Sequence, residues 1–390
     1  MKILNVNITL DPVRGGGTAE RTFQMSRSLA ARGAACRVLT LDVGLTPERR
    51  EALEALGLTA LPCFNGRYNL PAGGRRLVDE LVADADIVHL MGHWNLLNVW
   101  AYRSLRRLRK PYVVCPAGEL PVFGRSRRLK LAFNTLVGRR IVREAALHVA
   151  ITSREAEQFA AYAVDPAQVV VLPNGVAESE FTDADGAAFR SKFGLGNRAF
   201  VLFVGRLNPI KGPDLLLKAF ERIAVRLPDL DLVFAGPDGG SLAELRRRAS
   251  AAGLETRVKF VGYLGGREKS QAYHAASLLA IPSRSEAMSI VVLESGICGT
   301  PVLITDQCGF DDVERVGGGR VVAATSEALA EGLMELFSRA RHLPELGARL
   351  RHYVRADFTW TNLADRYLNH YDRLVAKSAA SAQHPRRACA

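Results

Sequence analysis

The sequence predicts an α/β chain made of two parallel-sheet domains in tandem, and three observations predict it. Short β-rich runs alternate with longer helical patterns from one end to the other, as βαβ units do. The series starts afresh near the middle of 390 residues, a length beyond one ordinary domain. Glycine-rich or cationic loops follow strand ends in both halves, where open parallel sheets bind ligands.

The first series of strands is expected at Lys2 to Leu10, Arg37 to Leu41, Ile87 to Met91, Tyr112 to Cys115, Leu147 to Ile151 and Val169 to Leu172, with helices between them. The second is expected at Ala199 to Val204, Asp231 to Ala235, Arg257 to Val261, Leu278 to Ile281, Pro301 to Ile304 and Gly319 to Val322. Two Rossmann-like sheets result. The linker falls between Asn174 and Asn197, where Pro173-Asn174-Gly175 makes a turn and Glu178 to Asp185 is acidic. The domains are then 1–180 and 181–360. A helix over 361–376, with Tyr367, Leu368 and Tyr371 at helical spacing, returns to the first domain, and a Ser-, Ala- and Pro-containing tail over 377–390 reads as disordered.

A hydrophobic content of 48% with only 7% aromatic residues suffices for two cores. Met1-Lys2 leads directly into a strand pattern, and no run of eighteen uncharged apolar residues occurs, so a cytoplasmic protein is expected. The cysteines, Cys36, Cys63, Cys115, Cys298, Cys308 and Cys389, lie too far apart for a zinc site or a disulfide framework and read as reduced thiols. The net charge of +12 favours phosphate-bearing or membrane-surface partners. Between Ala101 and Ala145, twelve Arg and Lys residues stand against Glu119 and Glu144 alone. Leu129, Leu131, Phe133, Leu136 and Val137 interleave with them. This pattern fits either a solvated surface or a basic amphipathic helix lying on the anionic inner face of a membrane.

Two loops are suited to phosphate. Gly15-Gly16-Gly17, between the first strand and a helix starting near Thr18, allows close backbone approach. Gly205-Arg206, at the end of strand Ala199 to Val204, precedes Lys211-Gly212. Arg206 would supply a planar fork and Lys211 a point charge, a pair suited to a diphosphate. After strand Leu278 to Ile281 come Pro282-Ser283, Glu286 and Ser289, then Ile290 and Glu294 on a helix. Glu286 and Glu294 are acceptor-only groups that can face one cleft and meet hydroxyl-rich ligands.

In combination, Gly205-Arg206-Leu207 with Lys211-Gly212, Pro282-Ser283 with Glu286 and Glu294, and Gly299-Thr300-Pro301 resemble the retaining glycosyltransferases of family 4. Pro173-Asn174-Gly175-Val176, Phe260-Val261-Gly262 and Trp360 extend the resemblance through nearly the whole chain. It implies a GT-B fold, two Rossmann-like domains facing each other across a cleft, with an acceptor domain followed by a nucleotide-sugar domain. Arg206 and Lys211 would then hold the donor diphosphate, Glu294 the ribose, and Glu286 the transferred sugar. Gly15, Gly16 and Gly17 would close over the reacting phosphate, and Ser289 and Ile290 would offer backbone contacts. The resemblance also implies a histidine beyond a first-domain strand, near the sugar. His93 fits better than His89, which strand alternation keeps within the sheet. Asn95 and Glu119 are candidates for holding the acceptor.

The chain departs from that family in two places: Glu286-Ala287-Met288-Ser289 replaces the frequent Glu-Gly-Phe-Gly, and Ala117-Gly118 stands where a cation or histidine often precedes glycine. The resemblance implies transfer with retention on one face of the sugar, without an enzyme nucleophile. The partners are then a UDP- or GDP-sugar and a glycan or lipid-linked acceptor, with cell-surface polysaccharide or glycolipid assembly as the setting. Beyond the nucleotide sugar, no cofactor is expected.

Metal independence is also expected. Asp84-Ala85-Asp86 and Asp229-Leu230-Asp231 precede strands, and Asp183-Ala184-Asp185 lies in the linker, whereas a metal-binding pair should follow a strand. A nicotinamide-dependent oxidoreductase is the alternative, because Gly15-x-Gly17 and Asp42 follow the first two strands. Glu20 stands where that fingerprint needs glycine or alanine. A non-catalytic basic membrane-binding module is a third reading. Nucleic acid is not expected, because the basic stretch lacks aromatic stacking positions.

Overall fold

The computed structural model describes residues 1–66, 68–122 and 126–383. The chain divides into two units: Met1–Asn174 together with Trp360 onward, and Gly175–Thr359.

In the first unit the strands are β1 (Lys2–Val6), β2 (Ala35–Leu41), β3 (Leu58–Leu61), β4 (Cys63–Asn65), β5 (Leu70–Pro71), β6 (Ile87–Met91), β7 (Tyr112–Cys115), β8 (Leu147–Ala150) and β9 (Val169–Val171). Seven of them form a sheet in the order β3-β2-β1-β6-β7-β8-β9, and β4 pairs with β5 alone. Every neighbour in the large sheet is parallel. The near-continuous apolar runs of β6 and β7 are buried throughout, as strands covered on both faces must be.

The second unit holds β10 (Ala199–Val204), β11 (Leu230–Ala235), β12 (Val258–Gly262), β13 (Leu278–Ile281), β14 (Val302–Thr305) and β15 (Gly319–Val322), in the order β12-β11-β10-β13-β14-β15. Its helix Pro213–Ile223 begins with proline at the first turn and Asp214 beside it, both favourable at a helix start, and buries Leu216, Leu217, Ala219, Phe220 and Ile223. Each such side chain, once fully buried, contributes about 1.5–3 kcal/mol before entropy is counted.

In both sheets the strand order reverses at one place, between β1 and β6 and between β10 and β13. Loops diverge there and leave a crevice beyond the carboxyl ends of the strands. The sequence-predicted ligand loops follow these four strands.

Several expectations are corrected. The first strand ends at Val6, not Leu10, because Asn7 turns its amide to the Thr18 carbonyl (3.0 Å) and the Thr22 hydroxyl (2.8 Å). The next helix starts at Gly16, ahead of Thr18. Strands β3, β4 and β5 were not expected. The helix at the C-terminus spans Trp360–Gln383, so Lys377 to Gln383 are helical where the sequence reads as disordered; the rest of that tail lies outside the described residues. The helix belongs to the first unit, with Tyr367 and Tyr371 fully buried. Tyr367 meets Arg21, which also donates to the carbonyls of Leu172 (2.7 Å) and Pro173 (2.7 Å) and to Asn174 Oδ1 (3.0 Å). One buried guanidinium thereby fixes the segment by which the chain leaves this unit and the helix by which it returns.

Cys36, Cys115, Cys298 and Cys308 are buried free thiols and Cys63 is half-buried and free; Cys389 lies outside the described residues. Burial pushes the Cys115 thiol up to about 11, so it stays protonated at neutral pH.

Candidate active site

In the second unit the loops after β10 and β13 are stitched together. Gly212 has φ 69°, and a Cβ there would stand 2.0 Å from the Pro282 carbonyl oxygen, so only glycine admits this approach. Lys211 Nζ lies 3.0 Å from Glu286 Oε1, and the Ser283 hydroxyl donates to the same oxygen. The Glu286 side chain is 8% exposed, against 36% for Lys211. The Lys211 N–H donates to Asn208 Oδ1 (3.0 Å), and the Glu286 N–H to the Gln307 carbonyl (2.8 Å). Arg284 spans the same two loops, reaching Asp214 with both nitrogens (2.8 and 2.7 Å) and the Pro209 carbonyl (2.5 Å). Arg206, half-buried, runs along Gly239, whose missing side chain makes room for it. Lys211 and Glu286 thus meet over the ends of β10 and β13, while Arg206 leaves the same β10 loop toward Gly239.

Ser289 caps the helix Ile290–Cys298 in extended conformation, and its buried hydroxyl has no partner among the described residues. Glu294, 5% exposed, does not share its partners with Glu286. Lys269 Nζ lies 2.5 Å from Oε1, and the Tyr273 hydroxyl donates to Oε2 (2.6 Å). Burial and this carboxylate push the Tyr273 hydroxyl far above its ordinary range, so it remains a donor. Sequence reasoning missed Lys269 and Tyr273, although their spacing of four on the helix Gly266–Ala275 puts both on one face. It gave Asn208 and Arg284 no role, and it quoted Ser283 only as part of the Pro282-Ser283 motif.

In the first unit a cavity of about 260 Å³ opens beyond β1, β6 and β7, lined among others by Thr18, Tyr68, Trp94, Asn95, Glu119 and Lys130. Glu119 accepts from the N–H groups of His93 (2.6 Å) and Trp94 (3.4 Å), while burial raises its carboxyl above the usual range. Asn95 caps the helix Leu96–Leu108, its Oδ1 accepting from the Asn98 N–H (2.7 Å). The floor of the cavity includes Gly118, whose N–H donates to buried Glu155 (2.5 Å). The glycine loop is shaped by Asp11, which accepts from the N–H groups of Val13 (2.7 Å) and Arg14 (3.0 Å), and whose carbonyl takes the Gly15 N–H (2.9 Å). Gly16 has φ 60°, and Gly16 and Gly17 are exposed.

His93, the histidine expected near the sugar, is almost wholly buried. It is 2% exposed, with Nε2 2.9 Å from Asn134 Oδ1 and its ring edge-on to Trp94, Phe133 and Tyr162. Burial lowers its pKa to about 4. Counting residues past a strand placed it beyond the sheet, but Phe133, Asn134 and Tyr162, which enclose the ring, come from distant parts of the chain. His89 lies within the sheet, 2.6 Å from the Tyr371 hydroxyl.

The residues behind the alternative readings have other partners. Glu20 pairs with Arg49 (2.5 Å) and Asp42 with Arg50 (2.5 Å). Asp84 meets Lys2, Asp183 meets Arg267, and Asp231 lies near Arg198 (3.5 Å).

The chain is similar to known glycosyltransferases in both units. The family model for a glycosyl transferase 4-like domain matches residues 16–175, and that for glycosyl transferases group 1 matches residues 187–356. A D-inositol 3-phosphate glycosyltransferase of Mycobacteroides abscessus is 30% identical over 388 residues, covering 93% of this chain and 85% of that protein. One of Actinosynnema mirum is 38% identical over 216 residues, covering 50% and 52%. Among solved structures, Anabaena HepE in complex with UDP-glucose aligns at TM-score 0.76 and 19% identity, covering 98% of this chain and 100% of that one. WaaG, a glycosyltransferase involved in lipopolysaccharide biosynthesis, aligns at 0.66 and 21%, covering 94% and 98%.

The fold is therefore GT-B, with two Rossmann-like parallel sheets. The chain belongs to the group 1 glycosyltransferases, of the type found in family 4, and is a glycosyltransferase.

Proposed function

We propose that this enzyme moves a sugar from a UDP- or GDP-sugar to a glycan or lipid-linked acceptor with retention of configuration and without a metal. The observation that carries the proposal is the Lys211–Glu286 pair over the ends of β10 and β13, held in place by Gly212, Ser283 and Arg284, with Arg206 on the same β10 loop. Two cations beside a helix N-terminus suit a diphosphate, and the buried Ser289 hydroxyl and the Ile290 N–H lie at that terminus.

In this reading Arg206 and Lys211 neutralise the diphosphate as it departs, and the leaving oxygen takes the proton of the incoming acceptor hydroxyl on the same face. The glycosidic bond to the phosphate breaks, the bond to the acceptor oxygen forms, and no enzyme nucleophile is consumed. The protein supplies orientation and preorganised charge. Glu294 takes the ribose hydroxyls and Glu286 the transferred sugar. In the first unit Asn95 and Glu119 hold the acceptor, and the Gly15 to Gly17 loop approaches the phosphate. His93 acts through Asn134 and Glu119 as a positioning group.

A second reading of the acceptor, a phosphorylated polyol, is favoured by the Mycobacteroides relative and by Lys130 on the cavity wall. Turnover with a panel of UDP- and GDP-sugars and both acceptor types, with the product's anomeric proton read by NMR, tests the function. An inverted product, or activity abolished by a chelator, contradicts it.

A further inference from the structure

We propose that the helical run from Arg127 to Arg143 docks on an anionic lipid bilayer, and that the same run walls the acceptor cavity, so that a membrane-held acceptor is presented to the site. The run comprises a helix (Arg127–Phe133), a π turn (Asn134–Gly138) and a second helix (Arg139–Arg143). It leaves Leu129, Leu131 and Leu136 exposed at 62%, 49% and 75%, with Leu129 and Leu136 on one side. Arg127, Arg128, Arg139, Arg140 and Arg143 are exposed around them, and none makes an ion pair among the described residues. The neighbouring basic residues differ: Arg106 lies 3.4 Å from Glu144, Arg107 lies 3.0 Å from Asp79, and Lys110 donates to the Ala85 carbonyl (2.6 Å). Arg125, part of the basic stretch in the sequence, lies outside the described residues. Solvated leucines ringed by unpaired cations of one sign complement an apolar layer under anionic head groups.

The inward face of the run belongs to the acceptor cavity. Lys130 lines it and stands 5.4 Å from the Trp94 ring centre, Phe133 packs edge-on to Trp94 and His93, and Asn134 meets His93. The π turn brings Asn134 and Gly138 inward together; a Cβ at Gly138 would stand 2.6 Å from Asn134 Oδ1. π turns recur at functional sites because they re-aim side chains within a helix. The docking face and the cavity wall are thus two faces of one short element.

This inference rests on the reading of the first unit as the acceptor side. The test is co-sedimentation of the full chain with phosphatidylcholine vesicles, with and without phosphatidylglycerol. Binding that requires phosphatidylglycerol and weakens as salt rises is expected. Leu129→Ser, Leu131→Ser and Leu136→Ser together should weaken it by about tenfold or more, and Arg139→Gln with Arg140→Gln by roughly fivefold per arginine. Hydrogen exchange on the vesicles should slow in residues 126–143 and 92–95. Equal binding to both vesicle types, wild-type binding by the leucine variant, or protection confined to other segments would each overturn the proposal. The UDP-induced rise in melting temperature, measured on the same samples, reports the donor reading separately. Vesicle indifference with that rise intact removes the docking alone.

Discussion

Lys211 Nζ and Glu286 Oε1 stand 3.0 Å apart, joining the loop after β10 to the loop after β13 at the point where the strand order of the second sheet reverses. The pair fixes a cation at the carboxyl ends of the strands, and Glu286 is in turn held by Ser283. The ammonium is therefore held in one place.

Lys211→Ala and Arg206→Ala should each lower kcat by roughly 10²-fold or more, the scale of one lost preorganised electrostatic group. Steady-state kinetics check this. A change confined to KM would mean that the two cations bind donor and transition state alike.

Gly212→Ala should damage the same site without touching a charge. A methyl at φ 69° and 2.0 Å from the Pro282 oxygen must push the two loops apart. Affinity for UDP or GDP, measured by calorimetry, should fall by about tenfold or more, with a loss of stability of at least about 1 kcal/mol.

Tyr273→Phe should cost about 1–3 kcal/mol in urea unfolding, because Glu294 would lose one of its two partners while buried. Lys269→Met should cost more, about 3–5 kcal/mol, because it removes the only cation beside that carboxylate given by the described contacts. Equal, negligible losses would show that Glu294 is solvated.

His89 and His93 should make the first unit sensitive to acid. Burial holds their folded pKa values at about 3 and about 4, below the unfolded value of 6.5. Both are neutral when folded, so between pH 6.5 and about 4 the unfolded chain binds more protons than the folded one. Their contribution is complete above pH 6.5 and is lost as pH falls, by up to about 1.4 kcal/mol per pH unit for each histidine. Glu119 and Glu155, raised by burial, act in the opposite sense. The difference in slope between wild type and His93→Gln, from urea titrations at pH 5 and pH 7, isolates the histidine; identical slopes would contradict its burial.

Much of the fold could be read from the sequence because the signals were local. The strand pattern of the second half appears within a residue or two of each end, since Ala199 to Val204 and Leu278 to Ile281 are apolar runs bounded by turn residues. β3 was hidden because Leu58-Thr59-Ala60-Leu61 follows a helix with only Gly57 as a break, and β4 and β5 are too short to show a period. The loops that carry Arg206, Lys211 and Glu286 were legible because strand ends and glycines mark them. The burial of His93 and the partners of Glu294 were not legible, because those contacts join residues far apart in the chain: Asn134 with His93, and Lys269 and Tyr273 with Glu294.

The most direct test is a thermal-shift panel with UDP, GDP, ADP and NAD on the wild type beside Lys211→Ala. A ligand that binds only the folded state raises the midpoint, by the equivalent of about 2.7 kcal/mol at a hundredfold excess over Kd. UDP or GDP should raise the wild-type midpoint, and Lys211→Ala should lose most of that rise. A rise with NAD alone, or a UDP or GDP rise that the variant keeps in full, would contradict the assignment of Lys211 to a nucleotide-sugar diphosphate.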